Sequence, residues 1–220
     1  YCLNNPLIYT DPSGEFWHLI IGAAIGGAIN WVANGADLSW EGLSYFATGA
    51  VSGALTAAFP GAAIGITAGA GAANSAIGQG FNNGWNNINL QQVAFDGIMA
   101  GTMAYVGGEI ASKFAGPVQK LTEKISSPML RELIVHEASG LPFGTVMGGI
   151  MAVADDDPNT SFLDGMWSGA KKSFVTSGLS AVGSAANYSL DNKVGMLTGI
   201  PKGGEVRVGR WMSENEYQIM

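Results

Sequence analysis

Charge is scarce in this chain. Charged residues make up 12% of its 220 positions, about half the share of an ordinary soluble domain, and no lysine or arginine occurs before Lys113. With a net charge of -7, the chain lacks the clustered cations that hold a phosphate backbone, which excludes a nucleic-acid partner. One cysteine, Cys2, excludes a disulfide framework and a cysteine-based zinc site. Only His18 and His136 could serve as general bases, and His136-Glu137 lacks the second histidine of a zinc helix.

Other site patterns fail in the same way. Asp155-Asp156-Asp157-Pro158-Asn159 starts like a calcium loop, then puts Thr160 where the sharp turn needs glycine and Met166 where a bidentate glutamate belongs. It reads as a solvated acidic loop. No phosphate-cradling G-x-x-x-x-G-K-[ST] is present, and the glycine-rich 22–27 follows no strand long enough to open a dinucleotide fold. The expectation is a chain without enzymatic activity, cofactor or metal.

What is present is small and apolar. Asp11, Glu15, Asp37, Glu41, Asp96 and Glu109 are the only charges before Lys113, and residues 42–95 carry none. A stretch of that kind hides among its own neighbours or in lipid. Glycines recur four apart: Gly22 and Gly26; Gly49 and Gly53; Gly61, Gly65 and Gly69; Gly97 and Gly101; Gly144 and Gly148; Gly165 and Gly169. Residues four apart stack along one face of a helix, so each pair lets a second helix approach closely. The predicted fold is therefore mainly α: glycine-zipper helical hairpins packed closely, with a short N-terminal β/turn segment and a short β start of a truncated C-terminal module.

The predicted helices cover 16–34, 45–58 with a continuation through Gly61, Gly65 and Gly69 after Pro60, 93–111, 143–154 and 162–179, with one amphipathic helix of mixed charge at about 117–136. Segments 37–46, 89–97 and 160–167 resemble one another, each opening with a capping residue and passing an aromatic into a small-residue helix. Helix pairs are the implied unit. Polar stretches at 82–87, 155–159 and 187–192 punctuate them. A membrane span needs about 20 apolar residues. Residues 16–36 are uncharged and of that length, though His18, Asn30 and Asn34 interrupt them and mean hydropathy over the chain is only +0.22. Close packing in a soluble or shell-enclosed region and insertion into a membrane both remain open at this point.

The ends have a different character. Residue 1 is Tyr, without a preceding Met or signal peptide, and the last residues run as a helix start, so an internal piece of a longer protein is expected. Asn4-Asn5-Pro6-Leu7 is followed by an extended Tyr9-Thr10 and by Asp11-Pro12-Ser13-Gly14, a type I turn with Pro second and Gly fourth. At the other end, 200–204 reads as a linker, Glu205-Val206-Arg207-Val208 alternates like a strand, and Ser213 with Glu216 has capping-box spacing. Arg207, Arg210 and Tyr217 take edge-strand and cap roles there.

The order of Asn4-Asn5-Pro6 and Asp11-Pro12-Ser13-Gly14 resembles the end of the core domain of Rhs/YD-repeat proteins, with Glu15 where the family usually has Leu. The resemblance implies a secreted or cell-surface polymorphic toxin of interbacterial competition, in which a large β-cage encloses a variable C-terminal toxin. It also implies a self-cleavage motif at Asp11, Pro12 and Gly14, with the scissile bond near Glu15-Phe16. A lone aspartate cannot run the acid/base pair such cleavage needs. The Phe16-Trp17-His18-Leu19-Ile20-Ile21-Gly22 start is similar to members from Bacteroidota, and 208–217 looks like the opening of a small toxin module. Three regions follow: 1–15, end of the core; 16–199, a Gly/Ala-rich helical region; 200–220, the truncated start of the effector. The implied function is a non-catalytic helical linker or translocation region between cage and effector. Its partners would be the Rhs cage of the same polypeptide, a target-cell membrane and an immunity protein. The alternative is a pore-forming, membrane-active toxin region.

Overall fold

A computed structural model describes residues 15–154 and 161–201. The N-terminal strand and turn with Asp11, Pro12 and Gly14, the acidic loop 155–159 and the β start after 204 lie outside these residues. Among the described residues the chain is mainly α. Six α-helices follow in order: α1 (Glu15–Ala33), α2 (Trp40–Ala58), α3 (Ala63–Asn83), α4 (Leu90–Thr122), α5 (Pro128–Ala154) and α6 (Phe162–Asp191), with a 3-10 turn at Pro60–Ala62 before α3.

Capping side chains start the second helix of each pair. The Ser39 hydroxyl accepts from the Gly42 N–H, Asn89 accepts from Gln91 and Gln92, and Ser161 forms a reciprocal capping box with Asp164. The sequence reading placed two of these caps elsewhere, at Asp37 and Thr160; the serine nearest each helix does the work instead. Gly35, at φ +102°, lets the chain leave α1, and Gly84, at φ +88°, lets it leave α3. The amphipathic helix expected at 117–136 is not continuous. α4 carries Pro117 inside it and ends at Thr122, and α5 begins at Pro128, whose missing N–H suits a first helical position and holds Ser127 out of the helix. Likewise the polar run from Asn187 lies inside α6 as far as Asp191.

Backbone contact defines the arrangement. α1 packs on α2, α3 on α4 and α5 on α6, and these hairpins join through α2 with α3, α4 with α5 and α6 with α1. Each helix thus touches two neighbours, and among the described residues no helix backbone closes on one across the circle. The six helices form a ring. His18 Nε2 and Asp191 Oδ1, 3.0 Å apart, fasten its last joint, helped by Gly183 of α6, which lies open beneath Ile25 of α1.

Large apolar side chains do not fill this ring. Among the described residues the buried hydrophobic ones are Tyr45, Val135, Ala181 and Ala185, whereas Leu38 is 92% exposed, Trp40 77% and Leu163 72%. Phe16, Trp17, Val51, Phe59, Phe95, Ile98 and Phe174 also point outward. Small residues dominate the interior, and many bulky ones are exposed.

Candidate functional site

Helix seams come first, because they place everything else. A Cβ added at Gly22 would stand 2.7 Å from the Gly53 carbonyl oxygen, and one at Gly26 would stand 2.8 Å from the Gly53 Cα and closer still to the Gly49 carbonyl. Gly49 and Gly53 face back onto Gly26 and Gly22. The α5/α6 seam repeats this: a Cβ at Gly148 would lie 2.7 Å from the Gly169 Cα and one at Gly169 would lie 2.8 Å from the Gly148 Cα, with Gly165 against the Gly148 carbonyl. Gly144 meets the Ser173 side chain, whose hydroxyl donates to the Gly140 carbonyl at 2.8 Å.

Gly97 and Gly101 sit differently. They face Ala68 and Ala72 of α3: a Cβ at Gly97 would stand 3.0 Å from both the Ala68 carbonyl oxygen and the Ala72 methyl, and one at Gly101 would stand 3.0 Å from the Ala68 methyl. The expected stripe of Gly61, Gly65 and Gly69 makes no such seam, since a Cβ at any of them meets nothing within 4 Å. Gly61 lies in the 3-10 turn, and α3 turns Ala68, Gly71 and Ala72 toward α4 instead.

Between α1, α2, α3, α4 and α6 lies an open chamber of about 510 Å³. α1 offers an isoleucine wall of Ile21, Ile25 and Ile29. Facing it are Ser52 and Thr56 of α2, Thr67 and Asn74 of α3, and Ser180, Ser184 and Asn187 of α6. No ionisable residue is among its walls. Asn30 and Asn74 join α1 to α3 reciprocally: Asn30 Nδ2 donates to Asn74 Oδ1 at 3.0 Å, and Asn74 Nδ2 donates to Asn30 Oδ1 at 2.7 Å. Asn30 Nδ2 also donates to the Tyr45 carbonyl at 2.6 Å. Asn187 Oδ1 is closed off and has no hydrogen-bond partner, a state that costs about 1–3 kcal/mol when nothing, water included, satisfies it.

The chain matches no family model, no curated protein and no solved structure. The seams, the chamber and the bulky exterior are therefore the features from which function is read.

Besides the His18–Asp191 joint, ionisable groups come together in two places among the described residues. His136 Nε2 lies 2.9 Å from Ser184 Oγ, which brings a histidine and a hydroxyl together across 48 positions. Glu132 Oε2 approaches the same Nε2, at 4.0 Å, whereas a nucleophilic triad needs its carboxylate on Nδ1 to fix the tautomer. The pair is a clasp between α5 and α6. Arg131 beside it stacks on the Tyr188 ring at 4.2 Å. The second place is a cleft of about 870 Å³ lined by Asp96, Asp164 and Lys172. Its carboxylates are engaged already: Asp96 accepts from Ser75 at 2.5 Å and from Gln92 at 2.8 Å, and Asp164 accepts from the Ser161 hydroxyl at 2.6 Å. That hydroxyl, with the Ser161 N–H, holds the Asp164 carboxyl below the usual carboxylate range. Among the described residues no group of three His, Cys, Asp or Glu side chains could hold a metal ion.

The chamber's asparagines escaped the sequence reading, which counted Asn30 only as an interruption of an apolar run. A signal was available. Asn30 follows Gly26 by four residues, so it shares the seam-facing stripe of its helix, where a polar side chain turns inward.

Proposed function

We propose that this chain is a non-catalytic helical delivery region standing between a YD-repeat cage and a C-terminal toxin module, and that it enters a lipid membrane during delivery. The supporting observation is the inverted distribution of side chains. Glycine, alanine, serine and asparagine dominate the helix seams and, with Ile21, Ile25 and Ile29, the chamber walls, while many Trp, Phe, Leu and Val side chains are exposed. Soluble monomers rarely leave contiguous apolar surface of more than a few hundred Å² open to water. Helices in lipid associate through small residues and interhelical amide or hydroxyl hydrogen bonds, because lipid already solvates their bulky side chains. Before release, the cage wall covers that exterior; afterwards lipid does.

α1 supports the same reading. Its stretch Phe16–Ala33 has 18 residues, a mean hydropathy of 1.5 and only 6% of its residues buried, and the 19-residue helix is about 28 Å long, close to the roughly 30 Å of a bilayer's hydrocarbon core. The test is the whole chain mixed with phosphatidylethanolamine/phosphatidylglycerol vesicles. Flotation with the vesicles and quenching of tryptophan emission by brominated acyl chains are expected. A chain that stays monomeric in buffer without detergent and ignores the vesicles overturns the proposal.

A further inference from the structure

We infer that the recess at the α1/α2 turn binds the alkylammonium headgroup of a zwitterionic phospholipid, an inference that rests on the membrane-entering reading above. The recess holds about 550 Å³. Trp31 of α1 and Trp40, Leu43 and Phe46 of α2 line it, with Asp37 and Leu38 from the turn between the helices. Residues three apart share a helix face, so Trp40, Leu43 and Phe46 form one stripe, which Trp31 joins from α1. The walls are held before any ligand arrives. Trp31 Nε1 donates to the Asp37 carbonyl at 2.7 Å, Gly42 leaves no room for a Cβ beneath that carbonyl, and the Phe46 ring lies where a Cβ on Gly27 would go.

Charge decides what fits. Aromatic rings attract an ammonium through their quadrupoles, and cages of such rings take up quaternary ammonium groups in this way; here Trp31, Trp40 and Phe46 stand together with a carboxylate. The Asp37 carboxylate enters no ion pair among the described residues. No lysine, arginine or histidine lines the recess, so it attracts an ammonium and repels an anionic headgroup. The cleft that holds Asp96 and Asp164 differs, because its carboxylates are engaged and Lys172 is among its walls. The rim names the source of the ammonium. Leu38 is 92% exposed and Trp40 77%, and a leucine and a tryptophan on a turn suit the boundary between headgroups and acyl chains. With those two side chains at the boundary, the recess behind them lies at headgroup depth. A soluble amine would use the carboxylate and leave the rim in water.

The experiment is flotation of the full chain with vesicles of phosphatidylcholine or of phosphatidylglycerol, run beside Asp37→Asn and Trp40→Leu. Asp37→Asn keeps the carbonyl that holds Trp31, and Trp40→Leu keeps an apolar rim, so each variant loses only a partner for the cation. The parent should bind choline vesicles about tenfold more tightly than glycerol vesicles, and each variant should bring the two within about threefold. Glu109→Gln removes one exposed charge from the middle of α4 and should leave the preference as it is; an effect as large as that of Asp37→Asn means net charge alone is at work and overturns the site. Equal affinity of the parent for both vesicles, or a preference that survives both recess variants, overturns the site and leaves membrane entry standing. Failure to bind either vesicle removes both readings. Free phosphocholine that saturates the tryptophan emission at the same concentration as vesicle lipid overturns the lipid as the source.

Discussion

The α1/α2 and α5/α6 hairpins are zipped by backbone against backbone, whereas the α3/α4 hairpin is held by glycine against alanine methyl. In the first two, the carbonyls of Gly22, Gly26, Gly148 and Gly165 lie where a Cβ on the partner helix would have to go. In the third, Gly101 looks onto the Ala68 methyl, which can yield by a few tenths of an ångström, and Gly97 looks from 3.0 Å onto both the Ala72 methyl and the Ala68 carbonyl. One repeated spacing in the sequence thus serves two mechanical purposes. A glycine facing a carbonyl is obligatory; a glycine facing a methyl is merely convenient.

Substitution measures that difference directly. Gly53→Ala forces a methyl into the Gly22 carbonyl and should cost about 3 kcal/mol, at the upper end of overpacking, measured by denaturant titration in micelles. Gly165→Ala, against the Gly148 carbonyl and the Ala152 methyl, should behave alike. If both stay within about 0.5 kcal/mol of the parent, as surface substitutions do, the backbone seams are not what holds these hairpins. A smaller effect isolates the cap from the seam. Ser161→Ala should cost about 1 kcal/mol without moving the α5/α6 contact. Because the Asp164 carboxyl is held below its ordinary range, its stabilising contact is present above the unfolded carboxylate's pKa and fades as pH falls through the folded value. The gap between parent and Ser161→Ala should therefore narrow on acidification, as thermal melts at stepped pH would record.

Glycines that face open space should respond with the opposite sign. Gly65→Ala and Gly69→Ala meet nothing within 4 Å and should stabilise α3 by about 0.5–1 kcal/mol each, the helical advantage of alanine over glycine. Gly101→Ala should come out near zero, the same advantage offset by a tight but yielding contact with the Ala68 methyl. A large loss at Gly101 would erase the distinction between the two kinds of seam.

The hairpins were legible because small-residue periodicity is a local signal, and five of the six glycine clusters identify the faces on which helices meet. Gly61, Gly65 and Gly69 show where periodicity stops being sufficient. Spacing says that residues share a stripe, but the rotation of α3 about its axis is set by the helices it finds, and those chose Ala68, Gly71 and Ala72. The break at 123–127 was hidden for a different reason, since mixed charge and apolar residues continue in phase through it and only Pro128 marks the restart. The ring could not be read at all. Its closing joint, His18 with Asp191, spans 173 positions, and nothing near either residue announces the other.

That joint has a topological consequence. The hydrogen bond between the beginning of α1 and the end of α6 puts the first and last helices shoulder to shoulder at one end of the bundle. Segments joined to the start of α1 and to the end of α6 would therefore leave the bundle from neighbouring points.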